Sequence, residues 1–231
     1  ALNPTLSEDP AVSAASFEML KGDNDNLTER RQQLRDAVAA TYRTFDCPGI
    51  EMNQRYQSCA VAAPADETPP PFAQDPEIYY QPTSFPGARL PHAWLFSGNS
   101  RISSLYVCGG GEFTLLTGNS GAGWRAIAKA VSDELGVPIK VVTIGLGQDY
   151  QDLYGDYVRI SEVEESGALL VRPDVYVGWR ARSLGETAQA DLRAALASIL
   201  GRNASGHEFM KSGGVEQPAR KFDEMEKAHY A

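Results

Sequence analysis

The sequence predicts an α/β fold: a strand–helix–strand unit, then a strand–strand–helix unit, preceded by a helical segment and a proline-rich connection. Three stretches predict it. FTLLTGNSGAGWRAIAKAVSDEL (113–135), followed by IKVVTIG (139–145), reads as strand, glycine-rich turn, helix and strand. ALLV (168–171) and YVGWRA (176–181), with a turn at Arg172, Pro173 and Asp174 between them, read as a hairpin with proline at its favoured turn position. Leu192, Ala195, Leu196 and Ile199 then repeat at helical spacing up to Gly201.

Along the chain, residues 1–25 are rich in Asp, Asn, Ser and Pro, with a short helix expected over Ala15–Leu20. A longer helix is expected from Asn26, which forms a capping-box pair with Glu29. Its apolar stripe is Leu34, Val38, Tyr42 and Phe45, its arginines form a solvated face, and Pro48 and Gly49 end it. QRYQSCAVA (54–62) alternates loosely, as a strand does. Residues 63–91 carry many of the prolines, including Pro69, Pro70 and Pro71, and read as an extended linker. Within FPGARLPHAWL, residues Arg89, His92 and Trp94 sit among apolar neighbours and are expected to pack on a domain surface.

The helix after the glycine-rich turn has Ser120 as its expected cap. Trp124, Ile127, Ala128, Val131 and Leu135 form its buried face, Gly136 its left-handed terminator and Pro138 its stop. Residues 146–159 form a Tyr/Asp-rich connection able to carry a short helix, and Ser183 with Glu186 form a capping-box pair for the final helix. The tail, 202–231, is polar, with disorder expected over 202–217 and a short helix from Pro218. The domain plan is therefore 1–62 (helix and strand), 63–100 (linker), 101–201 (α/β domain) and 202–231 (tail). A βαβ half followed by an antiparallel hairpin and a closing helix is the thioredoxin-like order.

The chemistry such a domain can support is limited by what the sequence lacks. The chain has 231 residues, is 42% hydrophobic and carries a net charge of −9, which argues against nucleic acid as a partner. No apolar run reaches the length of a membrane span, and a cytoplasmic location is expected. The three cysteines, Cys47, Cys59 and Cys108, are odd in number and widely spaced, which suits a reducing compartment. A thioredoxin-type site needs Cys-x-x-Cys at the start of the first helix, and Asn119, Ser120 and Gly121 stand there. Cys108 lies before the strand, with no second cysteine two residues away. Gly121, Gly123 and Ala126 fit G-x-G-x-x-[GA], yet the second strand ends in Gly145, Leu146 and Gly147, where a ribose-binding acid belongs. Gly118 and Gly123 have P-loop spacing, but Trp124 and Arg125 replace Lys and Ser/Thr. His92 is a lone histidine, expected to be hydrogen-bonded in a domain junction, while His207 and His229 fall in the tail. No histidines or cysteines have metal-ligand spacing. No catalytic, cofactor-binding or metal-binding residue is assigned.

PGARLPHAWL (86–95), FTLLTG with Trp124 and Arg125, and LVRPD followed by VGWRA (170–181) occur in an order that resembles a known family. From about Arg30 to Gly201 the chain resembles the C-terminal portion of FAD-dependent aromatic hydroxylases of the phenol hydroxylase and 2,4-dichlorophenol monooxygenase type. ERRQQLRDAV and NQRYQSCAV resemble the segment joining flavin and C-terminal domains. The chain departs from that pattern at Val175, where glycine is usual, and at CGGG (108–111). The resemblance implies a whole enzyme that uses FAD and NAD(P)H to hydroxylate a phenol. It implies that this chain, alone, binds no FAD and partners an N-terminal FAD-binding and substrate domain. It further implies a thioredoxin-like domain serving packing and dimer contacts in a homo-oligomer. The alternatives from the residues themselves are an independent thioredoxin-like redox protein and a small nucleotide-binding protein.

Overall fold

The computed structural model describes residues 9–19, 21–22, 25–64 and 66–202. The tail from Asn203, with its two histidines and the helix expected from Pro218, lies outside the described residues.

Four strands make the central sheet: β3 (Phe113–Thr117), β4 (Ile139–Thr143), β5 (Ala168–Val171) and β6 (Val177–Ala181). Their order is β4-β3-β5-β6. β3 and β4 are parallel, with Phe113 opposite Ile139 and Thr117 opposite Thr143. β5 runs antiparallel to both β3 and β6. β3 and β5 are central and buried along their whole length, so each reads as a continuous apolar run rather than an alternating one. Successive side chains still point to opposite faces. Leu115 and Leu170 enter one core layer, and Leu116 and Leu169 the other.

The first layer packs the sheet against α5 (Trp124–Leu135) and α7 (Ala188–Ile199). Trp124, Ala128 and Val131 of α5 and Leu192, Ala195 and Leu196 of α7 are buried there, as their spacing predicts. Each fully buried large side chain contributes about 1.5–3 kcal/mol of transfer free energy. Gly136 ends α5 at φ 65°, and Gly201 follows α7 at φ 67°.

The second layer contains the hairpin of β1 (Trp94–Ser97) and β2 (Ser100–Ser103), then α4 (Ser104–Val107) and α6 (Asp156–Ser161). Leu90, Ala93, Leu95, Val107, Cys108 and Tyr157 supply its core. Among the described residues no helix is long and apolar enough to cross a membrane.

Ahead of the sheet stand α1 (Pro10–Met19), α2 (Asp25–Phe45) and α3 (Pro48–Met52). α1 begins well before the expected Ala15, with the Asp9 carboxylate accepting from Ala11 N at 2.8 Å. Pro48 does more than stop α2; it occupies the first turn of α3, where a missing N–H costs nothing. Leu34, Val38 and Phe45 of the α2 stripe are exposed.

Several expectations need correction. Residues 54–62 form no strand. They make an isolated Arg55–Ala88 bridge to the segment before β1 and meet the sheet through Ala62 N to Gly178 O at 2.8 Å, and a turn at Ser58 interrupts any ladder. Ser120 does not cap α5: a 3₁₀ turn over Asn119–Gly121 intervenes and Gly123 occupies the cap position. Ser183 and Glu186 do not cap α7, whose cap position is Thr187. The stretch expected as a linker over 63–100 changes character at Thr83. Thr83, Ser84, Phe85, Ala88 and Leu90 are buried, and β1 and β2 begin within and at the end of that span.

Candidate functional site

Two places are candidates: the glycine-rich turn between β3 and α5, which the sequence marks, and the junction where the proline-rich segment meets β6, which it does not. In the turn, each glycine makes room for protein. A Cβ on Gly121 would overlap the Thr117 side chain, one on Gly118 would lie 2.5 Å from Glu165 O, and one on Gly123 would lie 2.8 Å from Leu184 Cδ2. Thr117 Oγ1 donates to Gly167 O at 2.6 Å, and the Trp124 indole donates to Ser166 O at 2.8 Å. The turn is thus bolted to the loop that precedes β5.

A phosphate at this turn would need free backbone donors and a positive or neutral surround. Here Ser120 Oγ donates to the Glu165 carboxylate at 2.6 Å, which places a negative charge against the turn. At the far end of β4, a Cβ on Gly145 would overlap the Asn119 side chain. The nearest acid on that side, Asp149, is taken: it accepts from Thr143 N at 2.8 Å and pairs with Arg125. Arg125 also donates to Thr143 Oγ1 at 3.1 Å. The residues present do not fit a dinucleotide pyrophosphate, and Gly121, Gly123 and Ala126 form a packing joint. The joint is completed by Trp124 and Trp179, whose rings meet edge to face at 5.9 Å between centroids.

Cys108 is 6% exposed and follows the C-terminus of α4, the wrong helix end for a reactive thiolate. Burial pushes its thiol up to about 12, against smaller opposing pulls from Lys140 and Thr114. Neither Cys47 nor Cys59 forms a disulfide. Burial likewise raises the phenol of Tyr157 beside it. His92 keeps the modest role expected of it: Nδ1 lies 2.7 Å from Ser103 Oγ, and its ring stands edge-on to Trp94. Arg89 pairs its backbone with Tyr176, and its Nε is buried without a hydrogen-bond partner among the described residues. No cluster of three or more metal-ligating side chains occurs among the described residues.

At the junction, Arg180 sits in the sheet with its side chain 5% exposed. Its guanidinium donates to Glu162 Oε2 at 2.8 Å and to Ser84 Oγ at 3.2 Å, pairs with Glu67, and lies over the Phe85 ring. Arg182 reaches the second Glu67 oxygen at 2.7 Å. Donation from Arg182, then from Arg180, holds the Glu67 carboxyl below the usual carboxylate range although burial opposes it. A pocket of about 460 Å³ opens beside this cluster, and a groove of about 770 Å³ runs between residues 61–64 and α7. Sequence reading missed the cluster, because an arginine inside VGWRA was its one local signal and its partners are 18 and 113 residues away. The arrangement is an ion-pair network that fastens chain to chain; it offers no nucleophile, no activated base and no open metal position.

Residues 83–203 match the family described as aromatic-ring hydroxylase, C-terminal. The chain belongs to that family. It is 47% identical over 177 residues to a 2,4-dichlorophenol 6-monooxygenase of Cupriavidus pinatubonensis (strain JMP 134 / LMG 1197), covering 76% of this chain and 29% of the relative. It is 42% identical over 171 residues to a phenol 2-monooxygenase of Pseudomonas sp. (strain EST1001), covering 74% of this chain and 27% of that protein. Among solved structures it is similar to the flavin-dependent monooxygenase PieE in complex with FAD and substrate, with a TM-score of 0.74 and 41% identity over 85% of this chain and 34% of that one. The chain therefore spans about a third or less of the proteins it matches.

Proposed function

We propose that this chain is the C-terminal part of an FAD- and NAD(P)H-dependent phenol monooxygenase and has no catalytic activity by itself. The observation that carries this reading is the match over 83–203 to the hydroxylase C-terminal family. Two features support the non-catalytic role. The one glycine-rich strand-to-helix turn flagged for a dinucleotide is filled by Thr117, Glu165 and Leu184, and Cys108 is buried with its thiol raised. In this reading residues 1–62 are the tail of a flavin and substrate domain, and 101–201 is a thioredoxin-like domain without Cys-x-x-Cys. The sheet order β4-β3-β5-β6, with its first two strands parallel, supports that description. The exposed Leu34, Val38 and Phe45 of α2 form the stripe that packs on the N-terminal domain. The domain serves packing and contacts between copies in a cytoplasmic homo-oligomer. FAD and NAD(P)H are held by the remainder of the enzyme.

The test is an absorbance scan of the purified chain with and without the N-terminal part of the enzyme. Flavin bands appear only when that part is present. Flavin that co-purifies with this chain alone overturns the reading.

A further inference from the structure

Residues 66–84 are proline-rich, which suggests a flexible or extended spacer, yet they are stitched down along both sides. One seam faces the chain that enters from α2. Asn53 Nδ2 donates to Pro76 O and to Tyr79 O, each at 2.8 Å, while Asn53 Oδ1 accepts from Gln81 N at 2.9 Å. Ile50 N donates to Glu77 O at 3.1 Å, and Gly49 lies so close to Pro76 O that a Cβ would overlap it. Arg55 donates to Pro70 O, and its guanidinium lies 4.0 Å from the Phe72 ring centre. Gln81 closes the segment on itself, its Oε1 accepting from Ala73 N at 2.6 Å and Gln74 N at 3.1 Å.

The other seam is ionic and faces the sheet. Glu67, with a side chain only 12% exposed, is gripped by Arg180 and Arg182 from β6 and the residue after it. Arg180 simultaneously holds Glu162 at the end of α6 and Ser84 at the end of the proline-rich segment. Thr83 Oγ1 donates to Glu162 Oε2 at 2.9 Å, and Ser84 Oγ donates to Ser161 O at 2.5 Å. One buried guanidinium thus joins both ends of the segment to the sheet. A charge this buried is tolerated only because its partners are in place, so losing one carboxylate unbalances the whole group.

We propose that residues 66–84 are a rigid strap, latched by Arg180 between Glu67 and Glu162, which fixes α3 and residues 53–56 to the sheet. The orientation of whatever precedes α3 is then set by the strap rather than left to a spacer. That it orients a flavin domain rests on the function proposed above; that it is a latched strap rests on these contacts alone. The sheet-side seam is built on paired charges and the α3-side seam, apart from Arg55, on neutral groups, so the two seams are separable by substitution. Glu67→Gln keeps the size of the side chain and removes the charge. Asn53→Ala removes three hydrogen bonds of the opposite seam and leaves the ion pairs untouched.

Amide hydrogen exchange on this chain, resolved to single residues, tests the strap without any flavin. In the unsubstituted chain the amides of Ala73, Gln74 and Gln81 are protected. In Glu67→Gln they exchange at least tenfold faster, while amides of β3 and β5 keep their rates. Asn53→Ala accelerates the same three amides. If β3 amides also accelerate in Glu67→Gln, the chain is destabilised throughout. Arg182→Gln, which releases Glu67 from its exposed side, then replaces it with the same expected result. Wild-type amides that exchange as an unstructured chain does, or a rise below threefold in these variants, overturns the strap. Either failure leaves the flavin reading standing, and failure of the flavin reading leaves the strap standing.

Discussion

Val175 shows how one residue can carry strain that the sequence announces. It occupies φ 61°, the left-handed region, where a β-branched side chain is disfavoured. The irregularity between Leu170 and Val171 in the β5–β6 register lies at the same turn. The turn survives because Val175 also packs against the second core layer, and its N–H donates to Arg172 O at 3.0 Å. Left-handed backbone costs an L-residue about 1–2 kcal/mol. The two small replacements therefore separate strain from packing. Val175→Gly and Val175→Ala both lose the contacts of the two γ-methyl groups, but only glycine sheds the strain. Glycine should unfold at the higher urea midpoint, by about 1 kcal/mol after its own entropy loss is counted. Equal midpoints, or alanine the more stable, would mean the turn is not left-handed there. Thiol labelling gives a second residue-scale test. Cys59 is exposed and Cys108 buried with a raised thiol, so a disulfide reagent at neutral pH should modify Cys59 and spare Cys108 until the chain unfolds. Modification of both at one rate would refute the burial of Cys108 and reopen the redox reading.

At the scale of elements, α5 and its turn anchor the first core layer. Trp124 is fully buried, hydrogen-bonded through its indole and packed edge to face against Trp179. Trp124→Ala should cost about 3–5 kcal/mol in a urea titration. An unchanged midpoint would mean that the helix does not face the sheet as described. The latch over Glu67 gives a pH-dependent counterpart. Its folded pKa is depressed, so its contribution is complete above the unfolded carboxylate value, about 4.3, and is lost as pH falls through the lower folded value. The charged groups facing it are Arg180 and Arg182, with Asp66 and Glu162 beside the same pocket. Acid titration of the Glu67→Gln variant should therefore lose stability less steeply below about pH 4.3 than the unsubstituted chain. Parallel curves would show that Glu67 titrates normally. The helices and β strands of the sheet were legible because their apolar spacing is strong and local, as in Trp124, Ala128 and Val131 or ALLV. Helix starts were not, since Ser120 spends its hydroxyl on Glu165, 45 residues away. Residues 54–62 alternate like a strand, but a turn at Ser58 interrupts them, and they meet the sheet edge only through Ala62 N to Gly178 O. The Arg180 cluster was illegible for the same reason as Ser120: it exists only once distant segments meet.

At the scale of the whole molecule, the surfaces of the described helices differ. The outer sides of α5 and α7 carry charge pairs such as Lys129–Asp133 and Glu134–Arg193 and suit water. α2 instead exposes Leu34, Val38 and Phe45, an apolar stripe that a larger enzyme would cover. The claim that organises these observations is that the chain supports flavin chemistry performed elsewhere. Its most direct test is a titration of FAD into the purified chain, followed by flavin fluorescence, and repeated with the N-terminal part of the enzyme present. The account predicts free-flavin fluorescence throughout for the chain alone, and saturable quenching only when the N-terminal part is added. Tight, stoichiometric FAD binding by this chain alone would contradict it.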